Sequence, residues 1–230
     1  MSFVFAPPPQ AVIPVEDEPY LFFPVNRIFG TANNYQEVGQ TKTPEPFFFM
    51  KSLECLQPIA LNDTLTVPMP PIGQDLRHEV ELVCALGKGG RNLTLEQAAE
   101  CVWGWSVGID FSLVDMTLPN GGRDLMMGKS FKHAAPVSHL RPHYRTPLPK
   151  ATELWLYVNN QKRQGGSTER LVWSPLEQIV RLSHFYELQP GDIIFTGTPG
   201  GVASLVPGDE VRCGVNGVGE IRVRIGEREA

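Results

Sequence analysis

The chain has 230 residues, enough to bury a substantial core in one domain with a small N-terminal appendage. A net charge of −5 at pH 7 argues against a nucleic-acid partner, which would demand a basic patch, and no apolar run approaches the roughly 20 residues of a membrane span. Cys55, Cys84, Cys101 and Cys213 form no Cys-x-x-Cys pair and read as reduced, buried thiols; with no secretory pattern over residues 1–9, a cytoplasmic location is expected.

Residues 1–24 read as a proline-punctuated lead-in, held by Pro7, Pro8, Pro9, Pro14 and Pro24 to short edge strands or an extended arm, ahead of a main domain over 25–230. A short strand over 25–29 ends at Gly30. The polar residues 31–42 then form a loop or lid, a common place for ligand contacts. Residues 46–51 are an apolar strand closed by Lys51, which in isolation reads as a solvated strand terminus. Another strand lies within 56–67 and is broken by Pro68, Pro70 and Pro71.

Residues 78–86 alternate as a strand does, so Glu79, Glu81, Val83 and Ala85 share one face. Two residues along a strand rise roughly 6.6 Å, so the two carboxylates lean toward one region of space. Two readings stay open. The pair is the wet face of a half-buried sheet, or it holds a hard divalent cation such as Mg²⁺ or Mn²⁺, which favours oxygen ligands. Asp110 offers a third oxygen from another element, as a cation site with open positions requires.

Thr94 with Gln97 makes a capping box, opening a helix that turns Leu95, Ala98, Ala99 and Val102 to the core and carries the chain to Asp110. Trp103, Trp105 and Phe111 read as core. Residues 115–123 are loop, and 154–159 a strand turning at Asn159-Asn160 into a second one. Ser174-Pro175-Leu176-Glu177 opens another helix, which carries Ile179, Val180, Leu182 and Leu188. A buried strand over 192–195 runs into Thr196-Gly197-Thr198-Pro199-Gly200-Gly201, either a plain turn or a backbone that approaches a carboxylate ligand closely. Residues 211–225 close the chain as a hairpin turning at Asn216-Gly217.

Six segments together resemble the fumarylacetoacetate hydrolase superfamily, in particular its short acylpyruvate and fumarylpyruvate hydrolases. They are Pro46-Phe47-Phe48-Phe49-Met50-Lys51, Glu79-Val80-Glu81-Leu82, Gly108-Ile109-Asp110, Gly128-Lys129-Ser130-Phe131, Leu188-Gln189-Pro190-Gly191-Asp192 and Thr196-Gly197-Thr198-Pro199. The resemblance implies a mixed α+β, mostly β fold, a β-roll with a few short helices, assembled as a homodimer. It implies that Glu79, Glu81 and Asp110 hold Mg²⁺ or Mn²⁺, with Ca²⁺ a further option. It also implies that a small-molecule 2-oxo acid sits beside catalytic Lys129, with Lys51, Asp115, Gly197 and Thr198 on the substrate side.

Two departures bear on the reaction. The family's lid pattern Asn-Tyr-x-x-His-x-x-Glu has Asn34-Tyr35 here, but Val38 stands at the histidine and Thr41 at the glutamate. After Asp110, Val114 and Thr117 replace the usual arginine and glutamine. Hydrolysis needs a base to activate water. Glu37 is the expected replacement, and His133 reads rather as a surface or core imidazole. Carbon–carbon bond hydrolysis therefore stands first; a tautomerase, isomerase or decarboxylase needing no activated water is the alternative, and a non-catalytic oxo-acid-binding homologue a third. His78, His139, His143 and His184 read as structural. Arg141, Arg145, Arg163 and Gln164 are candidates for a second carboxylate, with no position fixed.

Overall fold

Every residue of Val80–Leu86 is buried, which an alternating strand achieves only when both its faces are covered. In the computed structural model, which describes residues 3–36, 39, 44–145, 147 and 151–229, the rest of the chain supplies that cover. The first strands are β1 (Val12–Val15), β2 (Glu18–Pro24), β3 (Arg27–Ala32), β4 (Phe47–Lys51), β5 (Leu56–Ile59), β6 (Thr64–Met69), β7 (Leu76–Arg77) and β8 (Val80–Leu86). Helix α1 (Leu95–Cys101) is followed by β9 (Val102–Ile109), β10 (Ser112–Leu113), α2 (Leu125–Lys129), β11 (Ala135–Ser138) and β12 (Arg141–Pro142). The chain closes with β13 (Glu153–Val158), β14 (Gln161–Ser167), α3 (Pro175–Phe185), β15 (Asp192–Phe195), β16 (Glu210–Val215) and β17 (Gly219–Arg228).

Two sheets carry the mostly β fold, a β-roll with short helices. One has the order β4-β3-β15-β8-β9-β11-β5, with β12 also joined to β9; the other runs β14-β13-β16-β17-β6. In the first sheet β8 sits centrally, antiparallel to β15 and to β9. A single apolar core includes Leu82 and Val107 of this sheet, Leu156 and Val223 of the other, and Ala98 and Ile179 of α1 and α3. The expectation of a wet face on β8 fails for that reason: second sheet and helices leave neither side to water. Close packing also fixes composition, since a Cβ on Gly108 would stand 2.5 Å from the Phe195 ring.

The lead-in forms a β1–β2 hairpin, and Ile13 and Phe23 join the common core. Both capping boxes form, at Thr94 with Gln97 and at Ser174 with Glu177. Asn159 and Asn160 take positive φ in the β13–β14 turn, as a two-residue hairpin favours. Other expected boundaries move. Strand β3 continues through Gly30 to Ala32, because β4 pairs with it antiparallel as far as Ala32–Phe47, beyond the Gly30–Phe195 pair where β15 stops. The strand within 56–67 divides into β5 and β6, which join different sheets, and β6 runs through Pro68. Helix α1 leaves Leu95 and Ala99 exposed and stops at Cys101; the unforeseen strand β9, not the helix, delivers Asp110. Helix α3 ends at Phe185, so Leu188 lies outside it. No helix among the described residues is long and apolar enough to cross a membrane.

Candidate metal and oxo-acid site

Strand register gathers the three acids. Val80 pairs with Ile109 across β8 and β9, so Glu79 and Asp110 fall side by side just beyond that pair; the Asp110 N–H donates to the Glu79 carbonyl at 2.8 Å. Glu81, two residues along, returns to the side that Glu79 faces. One carboxylate oxygen from each of Glu79, Glu81 and Asp110 lies within 4.8 Å of the others. That spacing suits the span of about 4–5 Å that a cation sets across itself when its oxygens lie about 2.1–2.5 Å away.

Two buried lysines complete the charge balance. Lys51 Nζ donates to Asp110 Oδ1 at 2.5 Å, and Lys129 Nζ donates to Asp110 Oδ2 and, at 3.0 Å, to Glu79 Oε2. Lys51 is therefore an interior counter-ion and not the solvated terminus that its local sequence implies. With all three carboxylates ionised, two ammonium groups leave one net negative charge in a buried place. Burial, and then the Asp110 carboxylate, push the Glu81 carboxyl well above the ordinary range against the pull of Lys129. Burial acts on Asp110 the same way, but Lys129 and Lys51 outweigh it and hold that carboxyl low. The acids around Lys129 outweigh its own burial and raise its pKa. A site of hard oxygen donors with one unbalanced negative charge fits a divalent cation.

Backbone and neutral side chains hold these groups in place. The Gly197 N–H donates to Glu81 Oε2 at 2.6 Å, from φ +108°, where a Cβ would also meet Asn34 Cβ at 2.8 Å. Asn34 is fixed in turn, donating to the Thr196 and Trp173 carbonyls and accepting the Trp173 N–H. Ser112 Oγ donates to Glu79 Oε1 at 2.6 Å. The Thr198 hydroxyl donates to the Val80 carbonyl and accepts from Gln164, so its proton is already committed. The Thr198 N–H has no partner among the described residues, which makes backbone the better carboxylate donor there.

The site opens into a cavity of about 740 Å³ lined by Glu79, Lys129, Thr198, Val114, Arg77 and Arg123, among others. Asp115, expected at the substrate, instead accepts the backbone N–H groups of Gln74 and Asp75. Glu37, like Val38 and Thr41, lies outside the described residues. His133 pairs with Gln57 away from the cavity, and buried His78 joins Gln164. Gln164 is fully engaged with His78, Val80, Thr198 and Pro199 and is not free for a ligand. Arg141 and Arg145 pair with Glu16 and Glu18, and neither they nor Arg163 line the cavity. Arg77 and Arg123 were not anticipated; strand alternation with Glu79 and Glu81 was the available signal for Arg77.

A two-sheet β-roll whose central strand pair gathers three acids, met by one lysine from β4 and one from α2 at a cavity, defines a carboxylate-rich metal-enzyme site. The chain belongs to the family described as fumarylacetoacetate (FAA) hydrolase C-terminal, whose model matches residues 27–226. It is 34% identical to the fumarylpyruvate hydrolase of a Ralstonia species over 80% of this chain and 95% of that one. It is 33% identical to the mitochondrial oxaloacetate tautomerase FAHD1 of Mus musculus, over 86% of this chain and 89% of that one. The crystal structure of fumarylpyruvate hydrolase from Pseudomonas aeruginosa, in complex with Mn²⁺ and pyruvate, superposes with a TM-score of 0.92 at 35% identity; 98% of this chain and 100% of that one are covered.

Proposed function

We propose that this protein is a divalent-metal-dependent enzyme that cleaves the carbon–carbon bond of an acylpyruvate, of the fumarylpyruvate type, by hydrolysis. The observation that carries it is the convergence of Glu79, Glu81 and Asp110 beside Lys129 at the wall of a substrate-sized cavity. Glu79, Glu81 and Asp110 would hold Mg²⁺ or Mn²⁺. When bound, the cation supplies Lewis-acid polarisation of the 1-carboxylate and 2-oxo oxygens of the substrate. Lys129 keeps a fixed positive charge where negative charge develops as the bond breaks, and it stays protonated because three acids face it. Lys51 holds Asp110 in place, and the Gly197 and Thr198 backbone orients Glu81 and receives the substrate carboxylate. Glu37 is the candidate for drawing a proton from water. The same reading carries a homodimer in the cytoplasm, with residues 1–24 as an N-terminal lead-in to the catalytic domain over 25–230.

Among the described residues no histidine lines the cavity, and that observation favours a second reading, tautomerisation or decarboxylation of a 2-oxo acid without an activated water. Mn²⁺-loaded protein given fumarylpyruvate, acetylpyruvate and oxaloacetate separates the two by mass spectrometry. Hydrolysis releases pyruvate and a second acid; tautomerisation changes the enol absorbance at constant mass, and decarboxylation releases CO₂. Failure to turn over any of the three would sink both readings.

A further inference from the structure

We infer that Gln164 is a positioning residue for the carboxylate-receiving backbone at Thr198, and that His78 sets the direction of the Gln164 amide; this rests on the 2-oxo acid reading above. The pairing of β15 with β8 stops at Phe195 and Val83, so no strand reaches the Val80 backbone on that side. Gln164 and Thr198 stand in for one. Gln164 Oε1 accepts the Val80 N–H at 3.1 Å, and the Thr198 hydroxyl donates to the Val80 carbonyl at 2.8 Å. Gln164 Nε2 closes the clamp, donating to Thr198 Oγ1 at 2.8 Å and to the Pro199 carbonyl at 2.7 Å. Val80 stands between Glu79 and Glu81, so the clamp ties the Thr198 loop to the strand that carries two of the acids. Gln164 itself is buried and projects from β14 in the other sheet. The loop lies against that strand so closely that a Cβ on Gly166 would stand 2.9 Å from Pro199 Cβ.

The partners fix every proton in this cluster. A backbone N–H only donates and a carbonyl only accepts, so Gln164 Oε1 belongs at Val80 and Nε2 at Pro199. His78 Nδ1, 2.9 Å from Oε1, is then the donor, and the fully buried ring is the Nδ1–H tautomer. His78 Nε2 has no partner among the described residues and is left as a bare lone pair. An apolar side chain would avoid that cost; what the imidazole supplies is the proton that locks the amide. With both Gln164 amide protons committed, the Thr198 hydroxyl is left to donate to Val80, and the side chain of Thr198 is held at both ends. Thr198 lines the cavity, and the neighbouring Gly197 N–H is bonded to Glu81. The clamp therefore sets how far the free Thr198 N–H stands from the acid triad, which is the separation a chelated oxo acid has to match.

The test separates ligand affinity from metal affinity, with pyruvate as the probe and titration calorimetry on Mn²⁺-loaded protein. Pyruvate binding should weaken about tenfold or more in Gln164→Met, which removes the whole clamp, and in His78→Leu, which removes only the orienting donor. Neither side chain bonds to a carboxylate of the triad, so Mn²⁺ affinity should stay within about threefold. His78→Asn, whose amide N–H can reach Gln164 from the Nδ1 position, should restore pyruvate affinity. Nitrogen NMR of the unaltered, metal-free protein with labelled histidine should show His78 as the Nδ1–H tautomer, a readout that needs no variant to fold. The Nε2–H tautomer, full pyruvate affinity in both Gln164→Met and His78→Leu, or equal loss in His78→Asn and His78→Leu overturns the positioning role and leaves the 2-oxo acid reading standing. Parallel loss of Mn²⁺ and pyruvate affinity also overturns it, because a merely structural role moves both. No pyruvate binding by the unaltered Mn²⁺-loaded protein would remove the 2-oxo acid reading and the positioning role with it.

Discussion

Replacing Lys51 with methionine keeps the side chain's bulk and deletes one buried charge. Lys51 and Asp110 are both fully buried and joined at 2.5 Å, with Lys129 as the other cation on Asp110. Removing one partner of a buried pair typically destabilises by about 3–5 kcal/mol. Lys129 remains, so the lower end applies, about 3 kcal/mol, which for a chain of this size lowers Tm by about 6–12 °C in the absence of metal. A divalent cation at the triad should respond in the opposite sense. Repulsion between a divalent charge and the Lys51 ammonium at a separation of about 5 Å is of order 7 kcal/mol at an effective dielectric near 20, before relaxation. Even a fraction of that tightens binding at least tenfold in Lys51→Met. Calorimetric melts with and without Mn²⁺, together with a direct titration, read both effects. The metal-free variant should melt lower, and Mn²⁺ should raise its Tm by more than it raises that of the parent. Weaker Mn²⁺ binding in the variant, or an unchanged metal-free Tm, would refute the charge balance from which the site has been argued.

Glu81→Gln keeps an acceptor for the Gly197 N–H but removes a metal ligand, so Mn²⁺ binding should be lost while the fold persists. The folded carboxyl of Glu81 lies above its unfolded value near 4.5, so metal-free stability should fall as pH rises from there through the raised folded value. Denaturant midpoints across pH should show that decline in the parent and a flatter profile in the variant; equal slopes would refute it. Gly197→Ala should cost about 2–4 kcal/mol, since alanine is strained at φ +108° and its Cβ meets an Asn34 pinned by three hydrogen bonds. A stable Gly197→Ala that keeps full Mn²⁺ affinity would show that the Gly197–Glu81 bond is dispensable. Ser174→Ala removes one arm of the α3 capping box and should lower stability by about 1 kcal/mol, a Tm shift of about 2–4 °C, with Mn²⁺ affinity retained.

Local chemistry was legible wherever it acts over a few residues. The capping serine and threonine, the Asn159-Asn160 turn, the Glu79–Glu81 alternation and the buried run at 192–195 each announce themselves within one element, and the order of six short segments marks the family. Boundaries shift where pairing across the fold overrides local signals: β3 passes Gly30 because β4 pairs with Thr31 and Ala32, and β9 takes over where helical spacing alone would continue the helix. Charge partners were the least legible. Lys51 is an ordinary strand end in sequence, and it becomes the counter-ion of Asp110 only because β4 lies in the same sheet as β9. The sequence alone determined which residues can ligate a metal and which strand carries two of them. Tertiary structure decided how those charges balance, that Gln164 and Asp115 serve the scaffold, and that Arg77 and Arg123 face the cavity. Such pairings join residues tens of positions apart, and they depend on strand order and register, which no local pattern encodes.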